Sequence, residues 1–136
     1  MQEIRGLAEV ERRVGPSLIW RRSHALDLSK VGHVLECCFR EDLSGDEPTA
    51  TLELLIESCA PDPIQRLRLT LRGVTSLELD GWSVHTSIAG LELIDLSDRQ
   101  WEHIRWQLRD YETGLIGCYA VEAEIRLEDP GAEKVS

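Results

Sequence analysis

The side chains able to do chemistry here are four cysteines, four histidines, four tryptophans and an excess of carboxylates. Cys37 and Cys38 are adjacent, while Cys59 and Cys118 stand alone. Zinc sites pair their ligands at short regular spacing, which this set lacks. Neighbouring side chains on a strand point to opposite faces, so Cys37 and Cys38 cannot share one ion there. A cysteine nucleophile needs an imidazole in contact with it. His33 and Cys37 fall on one face of the same expected strand, but about 13 Å apart along it. His24 with Cys118 has no local support. The sequence holds no HExxH, no phosphate-binding glycine loop, no dinucleotide fingerprint and no G-x-S-x-G turn. Glu41, Asp42, Asp46 and Glu47 crowd one loop, in an order that does not match a calcium loop. The expectation is a chain without catalysis, metal or cofactor, whose cysteines mostly act as small apolar residues.

Binding chemistry is better represented. Trp106 reads as core. Trp82 follows the turn dipeptide Asp80-Gly81, and Trp101 follows the polar run Ser97-Asp98-Arg99-Gln100. Exposed aromatics concentrate binding energy at interfaces. Trp101, Asp98, Asp95 and Trp82 are therefore the candidate partner-binding residues, against the plainer reading that each tryptophan caps an end of the core. Arg66, Arg68 and Arg72 form a basic stripe. Beside Glu53 and Glu57 they make a charge ladder; on an uncovered face they would grip an acidic ligand.

Charge narrows the partners. The chain has 136 residues and a formal net charge of −10. Such a surface repels phosphate backbones and anionic headgroups, so neither nucleic acid nor membrane is an expected partner. It attracts a basic protein, although many acidic domains are acidic only for solubility. No apolar run approaches a bilayer span. The first thirteen residues carry Glu3, Arg5, Glu9, Glu11, Arg12 and Arg13 and lack the apolar stretch of a secretory signal. The expected setting is the cytoplasm, and the expected organisation is a single domain over 1–136.

Positioning falls to strands. Ile4, Leu7, Val10 and Val14 fit one helix face within residues 1–14, before Gly15-Pro16 stops it. From Ser23 the period becomes two. Leu35, Cys37 and Phe39 oppose Glu36 and Arg40. Leu52, Leu54 and Ile56 oppose Thr51, Glu53 and Glu57. Leu67, Leu69 and Leu71 oppose Arg66, Arg68, Thr70 and Arg72, a segregation only a strand achieves. Gly73 marks a bulge or bend, followed by Thr75, Leu77 and Leu79 in alternation. Leu91 and Leu93 share a face of the next strand, with Ile94 and Leu96 opposite, which suits a strand covered on both sides. Residues 128–136 read as a flexible polar tail.

The stretch from Trp101 to Tyr111 fits either a helix or a strand. Pairing it with the next segment favours a hairpin about Thr113-Gly114. Ile104 would face Ala123, Trp106 would face Val121, and Leu108 would face Tyr119, with Arg105 on Glu122 and His103 on Glu124. That last pair reads as a surface contact, not a catalytic dyad. About seven to eight short strands result, the pattern of an antiparallel β-sandwich or partly open barrel with a short N-terminal helix.

Several segments carry a resemblance. They are Pro16-Ser17 ahead of Ser23-His24-Ala25, the run Arg72-Gly73-Val74-Thr75-Ser76-Leu77-Glu78-Leu79, then Ile88-Ala89-Gly90-Leu91-Glu92-Leu93, and Asp110-Tyr111-Glu112 followed by Cys118. In this order they resemble small acidic bacterial β proteins classed with the immunity proteins of polymorphic toxin systems. The family pattern places an Asp after the histidine, where this chain has Ala25. The resemblance implies an inhibitor that neutralises a toxin, expected to be a basic domain, by binding it. It carries over no catalytic residue. The alternatives are a small-molecule or carbohydrate-binding β domain with Trp82 or Trp101 as a stacking platform, and a homo-oligomeric structural protein.

Overall fold

The computed structural model describes residues 4–14, 19–21, 24–28, 31–58, 65–79, 90–97, 104–111 and 116–128. In chain order these form α1 (Leu7–Val14), β1 (Trp20–Arg21), β2 (Ala25–Asp27), β3 (Val31–Asp42), β4 (Thr49–Ser58), β5 (Arg66–Arg72), β6 (Thr75–Leu79), β7 (Leu91–Asp95), β8 (Trp106–Asp110), β9 (Ile116–Ala120) and β10 (Glu122–Glu128). Among the described residues the strands build two sheets, one ordered β1-β2-β7-β8-β9-β6 and the other β10-β5-β4-β3, with every pairing antiparallel. The two sheets share one apolar core. Leu54, Leu69 and Ile125 reach it from the four-stranded sheet, and Leu26, Leu93 and Trp106 from the six-stranded one. Each such side chain contributes roughly 1.5–3 kcal/mol by leaving water. Both sheets keep open edges, so the architecture is a β-sandwich and not a closed barrel. The ten strands exceed the expected seven or eight. The short β1 and β2 add to the number, and the last ribbon divides into β9 and β10.

The clearest alternation holds in detail. Leu67, Leu69 and Leu71 are buried, while Arg66, Arg68 and Arg72 lie on the outer face. Leu52, Leu54 and Ile56 face the core from β4. In β7, Leu91 and Leu93 are buried, and Glu92 on the opposite face is covered too. Trp106 is core, as its position suggested.

β3 departs from the expected pattern. Register shifts fall between Val31 and His33 and between Val34 and Glu36. The second shift is a bulge, which inserts an unpaired residue and reverses the alternation. His33 pairs with Glu57 on the outer face, whereas Cys37 pairs with Leu54 on the inner one, so the two do not share a face. Leu35 sits in the bulge, without a register partner and exposed.

The hairpin of β8 and β9 exists, but one residue out of the expected register. Trp106 pairs with Ala120 and Leu108 with Cys118. Ile116, Cys118 and Ala120 are buried in place of Tyr119 and Val121. At Val121 the chain leaves one sheet for the other, and Ala123 pairs instead with Leu71 of β5. Glu122 consequently pairs in register with Arg72 and not with Arg105. His103 lies outside the described residues.

The N-terminal helix forms with Leu7 and Val10 buried on one side, and Ile4 ahead of it is buried as well. It starts only at Leu7. Arg5 ahead of it is drawn into a parallel bridge with Glu124, its N–H donating to Ala123 O at 3.2 Å and its C=O accepting from Ile125 N at 2.9 Å. Gly6, at φ +85°, lies so close to the Ile125 carbonyl that a side chain would collide with main chain. The segment thereby takes up two of the outward hydrogen-bonding groups of β10, Ala123 O and Ile125 N–H. Glu128, expected to open the tail, is the last residue of β10.

Candidate functional site: an arginine-lined cleft

Two of the connections between the sheets meet at one corner. β5 becomes β6 through Gly73 and Val74, and β9 becomes β10 through Val121. Val121 N–H donates to Arg72 O at 2.9 Å, and the N–H groups of Gly73 and Val74 both donate to Ala50 O, at 2.9 and 3.0 Å. Beside this corner opens a cleft of about 640 Å³, lined among the described residues by Arg5, Arg72, Arg105, Trp106, Val121, Glu122 and Ala123.

Each arginine arrives from a different element. The Arg5 main chain is fixed by its bridge to β10. Arg72 ends β5, and its guanidinium donates to Glu124 Oε1 at 2.9 Å. Arg105 precedes β8, anchored by its N–H on Ala120 O at 3.0 Å, and its side chain is exposed. Arg72 and Arg105 both have interactions within the fold. Guanidinium forks match carboxylate and phosphate oxygens bidentately. A cleft lined by three arginines, with Glu122 as the acidic lining residue, can hold an anion.

The arginine stripe of β5 is occupied differently. Arg66 donates to Glu57 at 3.2 Å. Arg68 binds both oxygens of Glu128, at 2.6 and 3.1 Å, and reaches Glu36 at 3.3 Å and Glu53 at 3.8 Å. These hydrogen bonds raise its pKa further. The charge ladder is present, and of the stripe Arg72, which pairs with Glu124, also lines the cleft. Leu55, between Glu36 and Arg68 in register, is buried on this outer face.

Of the sequence-derived binding residues, Trp101, Asp98 and Trp82 lie outside the described residues. Asp95 is only 4% exposed, and its Oδ1 accepts from Ser97 N at 2.8 Å. It therefore closes a turn inside the fold and does not present a carboxylate to a partner, a correction to the expected role. Asp27, Glu92 and Asp110 are buried as well. Asp27 faces Glu92 across β2 and β7, and Arg109 meets Glu92 at 2.6 Å. Nothing in the strand periodicity marks these acids, because alternation alone does not say that both faces of a sheet are covered.

Cys118 is buried, and its thiol is pushed up to about 12 by burial and by nearby Cys37. Burial also raises the Cys37 thiol. A reactive cysteine needs the opposite shift. His24 and His33 are exposed. Among the described residues no three of His, Cys, Asp and Glu gather to hold a metal ion, and no helix is long and apolar enough to cross a membrane. In the crowded acidic loop, Asp42 accepts from both the hydroxyl and the N–H of Ser44, which lowers its pKa. Those bonds order a turn.

The arginine cleft was not legible in the sequence. Arg5, Arg72 and Arg105 are far apart in the chain, and no spacing announces their meeting. Comparison with family models, curated proteins and solved structures returns no match.

Proposed function

We propose that this chain is a non-catalytic protein-binding domain of the immunity type, which neutralises a toxin by occupying it, and that the arginine cleft receives an acidic side chain of that partner. The observation carrying this reading is the convergence of Arg5, Arg72 and Arg105 on one opening beside Trp106, in a chain of net charge −10. Two electrostatic roles then separate. The acidic surface steers a basic partner toward the protein. The cleft fixes the register of the complex by binding one carboxylate bidentately. A polyanion is disfavoured, because the surrounding acids repel every phosphate outside the cleft. The protein acts in the cytoplasm, a setting that suits the free thiols of Cys37, Cys38 and Cys118.

A second reading rests on the cleft's size. Its volume of about 640 Å³ is ample for a small organic anion. One experiment separates the two. The chain is mixed with the product of the neighbouring gene, and binding is measured by calorimetry beside titrations with glutamate and citrate. A one-to-one complex that weakens about tenfold or more in Arg5→Ala/Arg105→Ala, with an unchanged circular dichroism spectrum, supports the first reading. Arginine-dependent binding of citrate or glutamate without any protein complex supports the second. A complex indifferent to both substitutions removes the cleft from either.

A further inference from the structure

β3 is an edge of the four-stranded sheet and runs twelve residues, Val31–Asp42. The hydrogen bonds fix which of its groups look outward. Ala50 O accepts from Gly73 and Val74, on the β5 side of β4. In an antiparallel strand the N–H and C=O of one residue point the same way, and successive residues alternate. Thr51, Glu53 and Leu55 therefore bond toward β3, to Arg40, Cys38 and Glu36. Cys37, Phe39 and Glu41 consequently turn their N–H and C=O groups to the open edge. At the other edge of this sheet, Arg5 takes up two of the equivalent groups of β10, Ala123 O and Ile125 N–H. Among the described residues nothing does so for β3.

The side chains point the same way. Cys37 and Phe39 sit on the core-facing side, opposite Leu54 and Leu52, yet Phe39 stays 41% exposed. From Glu36 to Asp42 the pairing with β4 is unbroken, so this segment is a regular strand whose outer edge no described residue pairs with. Such an edge is a template for another strand.

We infer that β3 pairs antiparallel with β3 of a second copy of this chain, about a two-fold axis through Cys38, joining the two four-stranded sheets into one. Charge selects both the occupant and the register. Hydrogen bonds can be exchanged only between the outward-facing residues. Placing Cys37 opposite Phe39 of the partner subunit sets Glu36 opposite Arg40 of the partner subunit, and symmetry repeats the pair. Cys38 then faces its own copy. The other registers lose this match. Phe39 on itself sets Glu36 against an aspartate, Phe39 on Glu41 sets Arg40 against itself, and Cys37 on itself leaves Glu36 opposite a cysteine. Opposite charges directly across a pair stabilise it, and like charges destabilise it. Glu36 now reaches Arg68 at 3.3 Å and Arg40 reaches Glu53 at 3.5 Å, with side chains 60% and 63% exposed. Exposed pairs of this kind are weak, so both groups can re-pair. The same contact covers Phe39 with the partner's Cys37.

Sedimentation equilibrium over a range of concentrations tests this independently of the cleft. The expected result is a reversible dimer. Arg40→Glu and Glu36→Arg should each sediment as monomers, since each homodimer would oppose like charges twice. Mixing the two variants should restore a heterodimer, because both cross-strand pairs become attractive again. Mild oxidation with diamide should link wild-type dimers through Cys38, as directly opposed strand residues stand within disulfide reach. Cys38→Ala should abolish the link and keep the dimer. A chain that stays monomeric at the highest concentration, leaving the edge to a foreign strand, overturns the inference. So does a dimer that both charge reversals leave intact.

Discussion

Val121 fills the space that a side chain on Gly73 would need: a Cβ built on Gly73 would lie 2.7 Å from Val121 Cγ2. The contact joins two of the places where the chain passes between sheets, β5 to β6 and β9 to β10. Arg72 pairs with Glu122 on one side of it and Thr75 with Tyr119 on the other, both antiparallel. β5–β6 and β9–β10 are thus one long ribbon, folded over at Gly73 and Val121. Gly73 takes φ +71°, a left-handed conformation open to glycine at little cost. The arginine cleft lies beside this fold in the ribbon.

Gly73→Ala should therefore destabilise the protein twice over, by about 1–2 kcal/mol for the left-handed backbone and by about 1–3 kcal/mol for the collision. Val121→Ala in the same chain should recover part of the second loss and none of the first. Urea unfolding of the single and double variants measures both. A wild-type midpoint for Gly73→Ala would show that the corner is not the constraint described.

Arg68 gathers Glu36, Glu53 and Glu128, and its side chain is 16% exposed. Arg68→Met should cost about 2 kcal/mol, less than a fully buried pair because the glutamates remain partly solvated. The three carboxylates would then repel one another, so salt should stabilise the variant more than the wild type. Thermal unfolding at low and high ionic strength gives the comparison.

The thiols should differ in reactivity. Cys38 is exposed, Cys37 half-buried and Cys118 buried. With iodoacetamide, mapped by mass spectrometry, Cys38 should label first, Cys37 more slowly, and Cys118 only on unfolding. The raised Cys118 pKa also predicts an alkaline limb. Between the ordinary thiol value of 9.0 and about 12, the unfolded chain has lost this proton while the folded chain keeps it. Stability contributed by the protonated thiol is whole below that window and falls as pH rises through it, by up to a few kcal/mol. Cys118→Ala should flatten that limb in denaturant titrations, whatever it costs in packing.

Arg109 neutralises Glu92, whose side chain is 8% exposed and which faces Asp27 across the strand pair. Arg109→Leu should cost about 2–3 kcal/mol by leaving the covered Glu92 without that cation. Glu92→Gln in the same chain should restore part of it, which differential scanning calorimetry can read. A Tm unchanged by Arg109→Leu would show the pair to be incidental.

Much of the sandwich was legible because side-chain alternation is a local property. Leu67, Leu69 and Leu71 against Arg66, Arg68 and Arg72 declare a strand and its inner face without reference to any other segment. The N-terminal helix was readable from Ile4, Leu7 and Val10 in the same way, apart from its start, which the bridge of Arg5 to β10 decides. Register was not readable in this way. Ile116, Cys118 and Ala120 offer as good an apolar face as Tyr119, Val121 and Ala123, so pattern alone leaves two solutions one residue apart. The sheet crossing at Val121 chooses between them, since it gives Ala123 to β5. The bulge after Val34 likewise has no mark in the run from His33 to Arg40.

The sequence by itself determined the class of fold, the outer-face ladder around Arg68 and the acidic field, because each depends on residue type and short spacing. Only the tertiary structure decided where Asp95 points, which edge stays open and which arginines meet. Those follow from contacts between segments far apart in the chain. Arg5, Arg72 and Arg105 line one cleft because a ribbon folds at Gly73 and an N-terminal segment docks on β10, and neither event is written in any single stretch of residues.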